Sequence, residues 1–218
     1  MTARPRIVVL ASGSGTNLQA LIDQIHGREI DIVGVGSDTP GCRALGRAEA
    51  AQIATATFPV DDYPDRRARD AAMAAWAQDI GAQVVVLAGY MALLTPAFLD
   101  PFRERVVNVH PSLLPAFTGL RAIEQALDYG VKVFGVTVHL VDDGVDTGPV
   151  LLQGAVELPD ATDPDEVHRA LQPIEHRLLP EAVRLLVAGA FTPDPANPRR
   201  MRRTVDTRSG ASISSPDR

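Results

Sequence analysis

The chain has 218 residues, enough for one sizeable core and within the range of a single α/β domain. Its formal charge of −6, from 21 basic and 27 acidic side chains, argues against a general nucleic-acid surface. A single cysteine, Cys42, excludes an intramolecular disulfide, and no N-terminal apolar stretch reaches signal or transmembrane length. A cytoplasmic protein is expected, with neither nucleic acid nor membrane as a partner.

Residues 7–11 form an apolar, β-branched run that reads as a buried first strand. It feeds into Ser12-Gly13-Ser14-Gly15-Thr16-Asn17-Leu18-Gln19, a Gly-rich turn that opens an amphipathic helix over residues 17–26. Small residues let a ligand approach the backbone, and unsatisfied amides at a helix N-terminus attract an anion. The turn is neither G-x-G-x-x-G nor a Walker loop, since it has no Lys; alone it reads equally well as an ordinary strand-to-helix turn. Strands follow over residues 30–36, 55–58, 83–88 and 105–109, with helices over 43–52 and 65–80 between them. That alternation predicts a parallel α/β sheet. Cys42 opens the second helix and reads as packing or surface. Residues 84–94, Val-Val-Val-Leu-Ala-Gly-Tyr-Met-Ala-Leu-Leu, read as a buried strand running into an apolar loop.

After residue 115 the pattern changes. A helix near 123–129 precedes two strands, 132–141 and 150–157, joined by an Asp-rich loop, so the sheet should be mixed. A last helix opens at Asp163-Pro164-Asp165-Glu166, where Asp caps, Pro sits in the first turn and Glu closes a capping box; Pro173 should kink it. Glu175 and His176 on it read as a solvated face, and His26 and His168 as surface residues on helices. Residues 194–218 carry six Arg and three Asp and end in a Ser-rich stretch, which reads as a disordered tail beyond a domain of residues 1–193.

The chemistry concentrates in Asn108-Val109-His110-Pro111-Ser112-Leu113-Leu114-Pro115. Residues two apart on a strand face the same way, so Asn108 and His110 project together while Val107 and Val109 face the other side. Pro111 removes a backbone donor and should end the strand there. An amide and an imidazole at a strand end suit stabilisation of a developing oxyanion, although an isolated Asn-x-His pair also reads as two satisfied polar residues. Asp146 lies 36 residues beyond His110, in Asp142-Asp143-Gly144-Val145-Asp146-Thr147-Gly148-Pro149. An Asp on such a loop can hold a nearby imidazole in its charged form. The loop fails the calcium-binding pattern and has no His or Cys cluster beside it, so no metal is expected. His139 reads as a core or supporting histidine.

N-V-H-P-S-L-L-P followed by V-H-L-V-D-D-G-V-D-T-G-P resembles the formyltetrahydrofolate-using enzymes. The resemblance implies a Rossmann-like formyltransferase fold: a mostly parallel central sheet, helices on both faces and a C-terminal antiparallel portion. It implies Asn108, His110 and Asp146 as the catalytic set. The turn S-G-S-G-T-N-L-Q and the one-domain length resemble the glycinamide ribonucleotide formyltransferases among them. By that resemblance Gly15, Thr16 and Asn17 hold the substrate's phosphate and Glu175 its amine. Met91, Ala92, Leu93 and Leu94, with Asp142 and Asp143, line a pterin pocket, and Arg66 meets the folate tail. The implied small molecules are glycinamide ribonucleotide and the co-substrate 10-formyltetrahydrofolate, handled by a monomer or homodimer. Ala92 stands where many members are basic, and Gly119-Leu120-Arg121 where many have Gly-x-His. Two other readings stay open: a formyltetrahydrofolate hydrolase, and a catalytically silent nucleotide- or folate-binding protein.

Overall fold

The computed structural model describes residues 3–204. The chain runs β1 (Arg6–Leu10), α1 (Thr16–Gln24), β2 (Asp31–Ser37), α2 (Arg43–Ala50), β3 (Thr55–Thr57), α3 (Arg66–Asp79), β4 (Val84–Leu87), α4 (Pro96–Leu99), β5 (Val106–His110) and α5 (Ala122–Tyr129). It continues through β6 (Val133–Leu140), β7 (Val150–Glu157), α6 (Pro164–Val187), β8 (Phe191–Asp194) and β9 (Asn197–Arg203). One sheet has the order β3-β2-β1-β4-β5-β6-β7-β9-β8. The pairs from β3 to β5 are parallel, and β5–β6 and β6–β7 are antiparallel, as the change of pattern after residue 115 predicts.

Period-two alternation divides the core. Ile7 and Val9 of β1, Val84 and Val86 of β4, and Val107 and Val109 of β5 point into one apolar layer with α1, α2 and α6. Val8 and Leu10, Val85 and Leu87, and Val106 point into the other, against α3 and α4. Strands buried on both faces need near-continuous apolar sequence, and Val84–Leu87, buried throughout, supplies it. Asp163 caps α6 by accepting from the Asp165 N–H at 3.0 Å, and the helix continues through Pro173 and Pro180.

Part of the expected tail is folded. Residues 191–203 form the β8–β9 hairpin, and β9 joins β7 at Val150 and Arg200, so a boundary at 193 falls inside β8. The reason is charge pairing that composition cannot show: Asp194, only 3% exposed, takes Arg202 at 2.8 Å and Arg200 at 3.7 Å, while Met201 packs on the core. The rest of the expected tail, from 205 on, lies outside the described residues. His26 also departs from expectation. It follows α1 rather than lying on it, and its half-buried Nδ1 accepts the Ile32 N–H at 3.0 Å.

Strand order reverses between β1 and β4, where the following helices depart to opposite faces. Crevices at such points, beyond the carboxyl ends of the strands, are where open α/β sheets bind ligands. Here the loops after β1 and β4 are tied together: the Ser12 N–H donates to the Gly89 carbonyl and the Met91 N–H to Ser12 Oγ, each at 3.1 Å.

Candidate active site

Asn108 and His110 do project together, and β5 ends at His110, just before Pro111. The antiparallel register sets His139 opposite Asn108 and Thr137 opposite His110, so all four side chains share one face. Thr137 Oγ1 donates to the Ser112 carbonyl at 2.7 Å and accepts the Leu114 N–H at 3.1 Å, which fixes the turn that follows His110.

Asp146 arrives from the β6–β7 loop in a left-handed backbone conformation (φ 53°). Non-glycine residues adopt it at a cost of about 1–3 kcal/mol when their surroundings enforce it. Its Oδ2 accepts the Gly119 N–H at 2.7 Å and lies 3.3 Å from His110 Nδ1. Its Oδ1 lies 3.4 Å from Asn108 Nδ2 and 3.5 Å from His139 Nε2. The expected catalytic residues therefore meet in one cluster, with His139, 1% exposed, as a fourth member. His139 Nδ1 donates to the Leu140 carbonyl at 2.8 Å, and its Nε2 sits 3.2 Å from Asn108 Nδ2. His110 has oxygens at both nitrogens, the Asp146 carboxylate and the Phe117 carbonyl (2.8 Å from Nε2), and only the protonated ring donates to both. The Asn108 amide and His110 Nε2 thus already engage protein groups.

Burial opposes the Asp146 charge, but hydrogen bonds from His139 and Gly119 and the charges of His110 and His139 outweigh it, holding the carboxyl below its ordinary 3.8. A carboxyl lowered on folding binds fewer protons than in the unfolded chain. Its stabilisation is therefore present above pH 3.8 and lost as pH falls through the folded value. Asp146→Asn should accordingly lose less stability than the parent protein on acidification below that pH. Thermal unfolding followed against pH measures this; parallel curves for the two proteins would contradict the assignment.

At the other expected subsite, Gly15 caps α1 with φ 71° and ψ 29°. Asn17, 8% exposed, donates from Nδ2 to Glu175 Oε2 at 2.9 Å across 158 positions, and Glu175 is itself 5% exposed rather than solvated. Asn17 Oδ1 is buried and has no hydrogen-bond partner among the described residues. Gly15, Thr16, Asn17 and Glu175 thus form one unit.

The loop after β4 holds its backbone firmly and its side chains loosely. Arg66 donates to the Leu93 carbonyl at 2.9 Å, and the fully buried Asp70 accepts the Thr95 N–H at 2.7 Å while pairing with Arg69 at 3.0 Å. Met91 and Leu93 are 64% and 54% exposed, whereas Ala92 and Leu94 pack on the α3-side core. Asp142 folds its own loop, accepting from Thr147 Oγ1 at 2.6 Å and the Gly144 N–H at 3.1 Å. Asp142 and Asp143 border a hollow of about 330 Å³ walled by Leu99, Phe191 and Met201, and residues 91–94 do not line it. Arg121 is exposed and caps α5 with φ 60°. Pattern reading left Asp70 and Phe117 unnoticed and singled out Gly119 only within a departure from the family pattern, since Phe117 and Gly119 act through backbone atoms and Asp70 reads as one charge on a charged helix.

The sequence profile of the formyl transferase family matches residues 5–183. A phosphoribosylglycinamide formyltransferase of Mycobacterium tuberculosis is 43% identical over 192 residues, 88% of this chain and 89% of that one. A solved glycinamide ribonucleotide transformylase from Symbiobacterium toebii superposes with a TM-score of 0.88 at 44% identity, covering 92% of this chain and 94% of its own. A trifunctional purine biosynthetic protein of Drosophila melanogaster matches 85% of this chain at 40% identity over 14% of its own length. By profile, relatives and fold together, the chain belongs to the formyl transferase family.

Proposed function

We propose that the protein transfers the formyl group of 10-formyltetrahydrofolate to the amine of 5'-phosphoribosylglycinamide, giving N-formylglycinamide ribonucleotide and tetrahydrofolate, a step of purine biosynthesis. The observation that carries this reading over a hydrolase is the buried Asn17–Glu175 pair at the α1 N-terminus. A water-using enzyme has no need of an anion-binding helix start joined to a buried carboxylate. The backbone amides of Gly15, Thr16 and Asn17 take the phosphate, and Glu175 takes the amine.

The amine nitrogen bonds to the formyl carbon, negative charge develops on the formyl oxygen, and the bond to N10 of the folate then breaks. N10 gains a proton as the amine loses one, so no covalent enzyme intermediate is required. The His110 imidazole and the Asn108 amide donate to the oxyanion in place of their present partners, while Asp146, 3.3 Å from His110 Nδ1, holds the ring in place. Arg66 meets the folate tail, and residues 91–94 with Asp142 and Asp143 border the pterin. Free Cys42 is consistent with a cytoplasmic setting for this chemistry.

The test is tetrahydrofolate formation from 10-formyltetrahydrofolate with and without the ribonucleotide. Formation only in its presence is expected. Formate release that ignores it would establish a hydrolase instead, and silence in both a binding protein.

A further inference from the structure

The amides that this reading assigns to the phosphate are aimed by a residue outside the loop. In a trans peptide the carbonyl of one residue and the N–H of the next point in opposite directions. Fixing the Ser14 carbonyl therefore fixes the Gly15 N–H, and fixing the Gly13 carbonyl fixes the Ser14 N–H. Both carbonyls are turned toward α2. The Ala44 N–H donates to the Gly13 carbonyl at 3.1 Å, and Arg47 Nε donates to the Ser14 carbonyl at 2.9 Å.

Arg47 is itself held in place. Its Nη1 donates to Gln19 Oε1 at 2.9 Å, and Gln19 Nε2 donates on to Asp23 Oδ1 at 2.9 Å. Its aliphatic stem lies against the loop, with Cδ 3.2 Å from where a Gly15 Cβ would stand. Arg47, Thr16, Gln19 and His176 border a hollow of about 340 Å³ beside the start of α1. The guanidinium thus adds a positive charge next to an anion subsite and half-buries itself without closing it.

We infer that Arg47 is a positioning residue for the ribonucleotide phosphate, acting through its Nε hydrogen bond to the Ser14 carbonyl. This rests on the proposed ribonucleotide reading. The effect belongs to the phosphate loop alone, because Arg47 touches neither the Asn108–His110–Asp146 cluster nor the loop after β4. Lysine does not substitute, since it carries a point charge and no donor at the Nε position.

Arg47→Met and Arg47→Lys are compared by steady-state kinetics with each substrate varied, and again with glycinamide riboside, which lacks the 5'-phosphate. In Arg47→Met the ribonucleotide KM should rise roughly tenfold, as expected for a lost hydrogen bond from a charged group. Its folate KM should not change, and Arg47→Lys should resemble it. The preference for ribonucleotide over riboside, a ratio that does not depend on how much enzyme is folded, should fall in step. An unchanged ratio in Arg47→Met would overturn the proposal, and so would full recovery in Arg47→Lys, which would leave charge alone as the cause. Failure of the underlying reading looks different: parent turnover would then ignore the ribonucleotide altogether.

Discussion

His110→Ala is expected to lower kcat by on the order of 10²–10⁴, the usual worth of positioned acid–base help, with little change in either KM. The imidazole is the one group of the cluster that combines a mobile proton with a place at the strand end, 5% exposed and facing both a carboxylate and a carbonyl. The fold should tolerate the change. Asp146 keeps the Gly119 N–H at 2.7 Å and its contacts with Asn108 and His139, so no buried charge is left alone. The substrate contacts proposed at Gly15–Asn17 and along residues 91–94 belong to other loops and should persist. Asn108→Ala removes the proposed oxyanion donor together with the amide's contacts to Asp146 and His139; losing such a donor costs about 2.7–4 kcal/mol of barrier in comparable sites. Steady-state and single-turnover rates measure both variants; parental kcat in His110→Ala would take the imidazole out of the mechanism.

Gly15→Val should damage the protein at the other subsite. At φ 71° a side chain strains the backbone, by about 1–2 kcal/mol for an L-residue. Its Cβ would also stand 2.7 Å from Ala44 Cα and 2.9 Å from Ala44 Cβ. Backbone cannot swing aside as a flexible side chain can, so α2 or the loop has to move, and overpacking of this kind costs about 1–3 kcal/mol more. At about 2–4 °C per kcal/mol for a chain of this size, the unfolding midpoint should fall by several degrees. The ribonucleotide KM should rise as the Gly15 amide leaves its place. Gly13→Ala is the control, because nothing lies within 4 Å of its Cβ position and its backbone is not left-handed. Equal behaviour of the two variants would show that the close approach of α1 and α2 is immaterial.

Much of this architecture was legible from local pattern. Alternation placed Asn108 and His110 on one face of a strand, Pro111 marked its end, and apolar runs gave β1 and β4 within a residue or so. The cap at Asp163 was equally local. Such features depend on neighbours along the chain, whose geometry the backbone fixes through its own periods. The hairpin at 191–203 was not legible, because its arginines read as a tail until Asp194 is seen to collect them.

The mostly parallel α/β sheet, the shared face of Asn108 and His110, and the Gly-rich start of α1 follow from local pattern. That His139 stands opposite Asn108, that the Gly119 amide locks Asp146, and that Asn17 meets Glu175 across 158 residues follow from the folded arrangement alone. Periodicity records which way a side chain points, whereas strand register and the meeting of loops at a sheet's switch point decide what it points at.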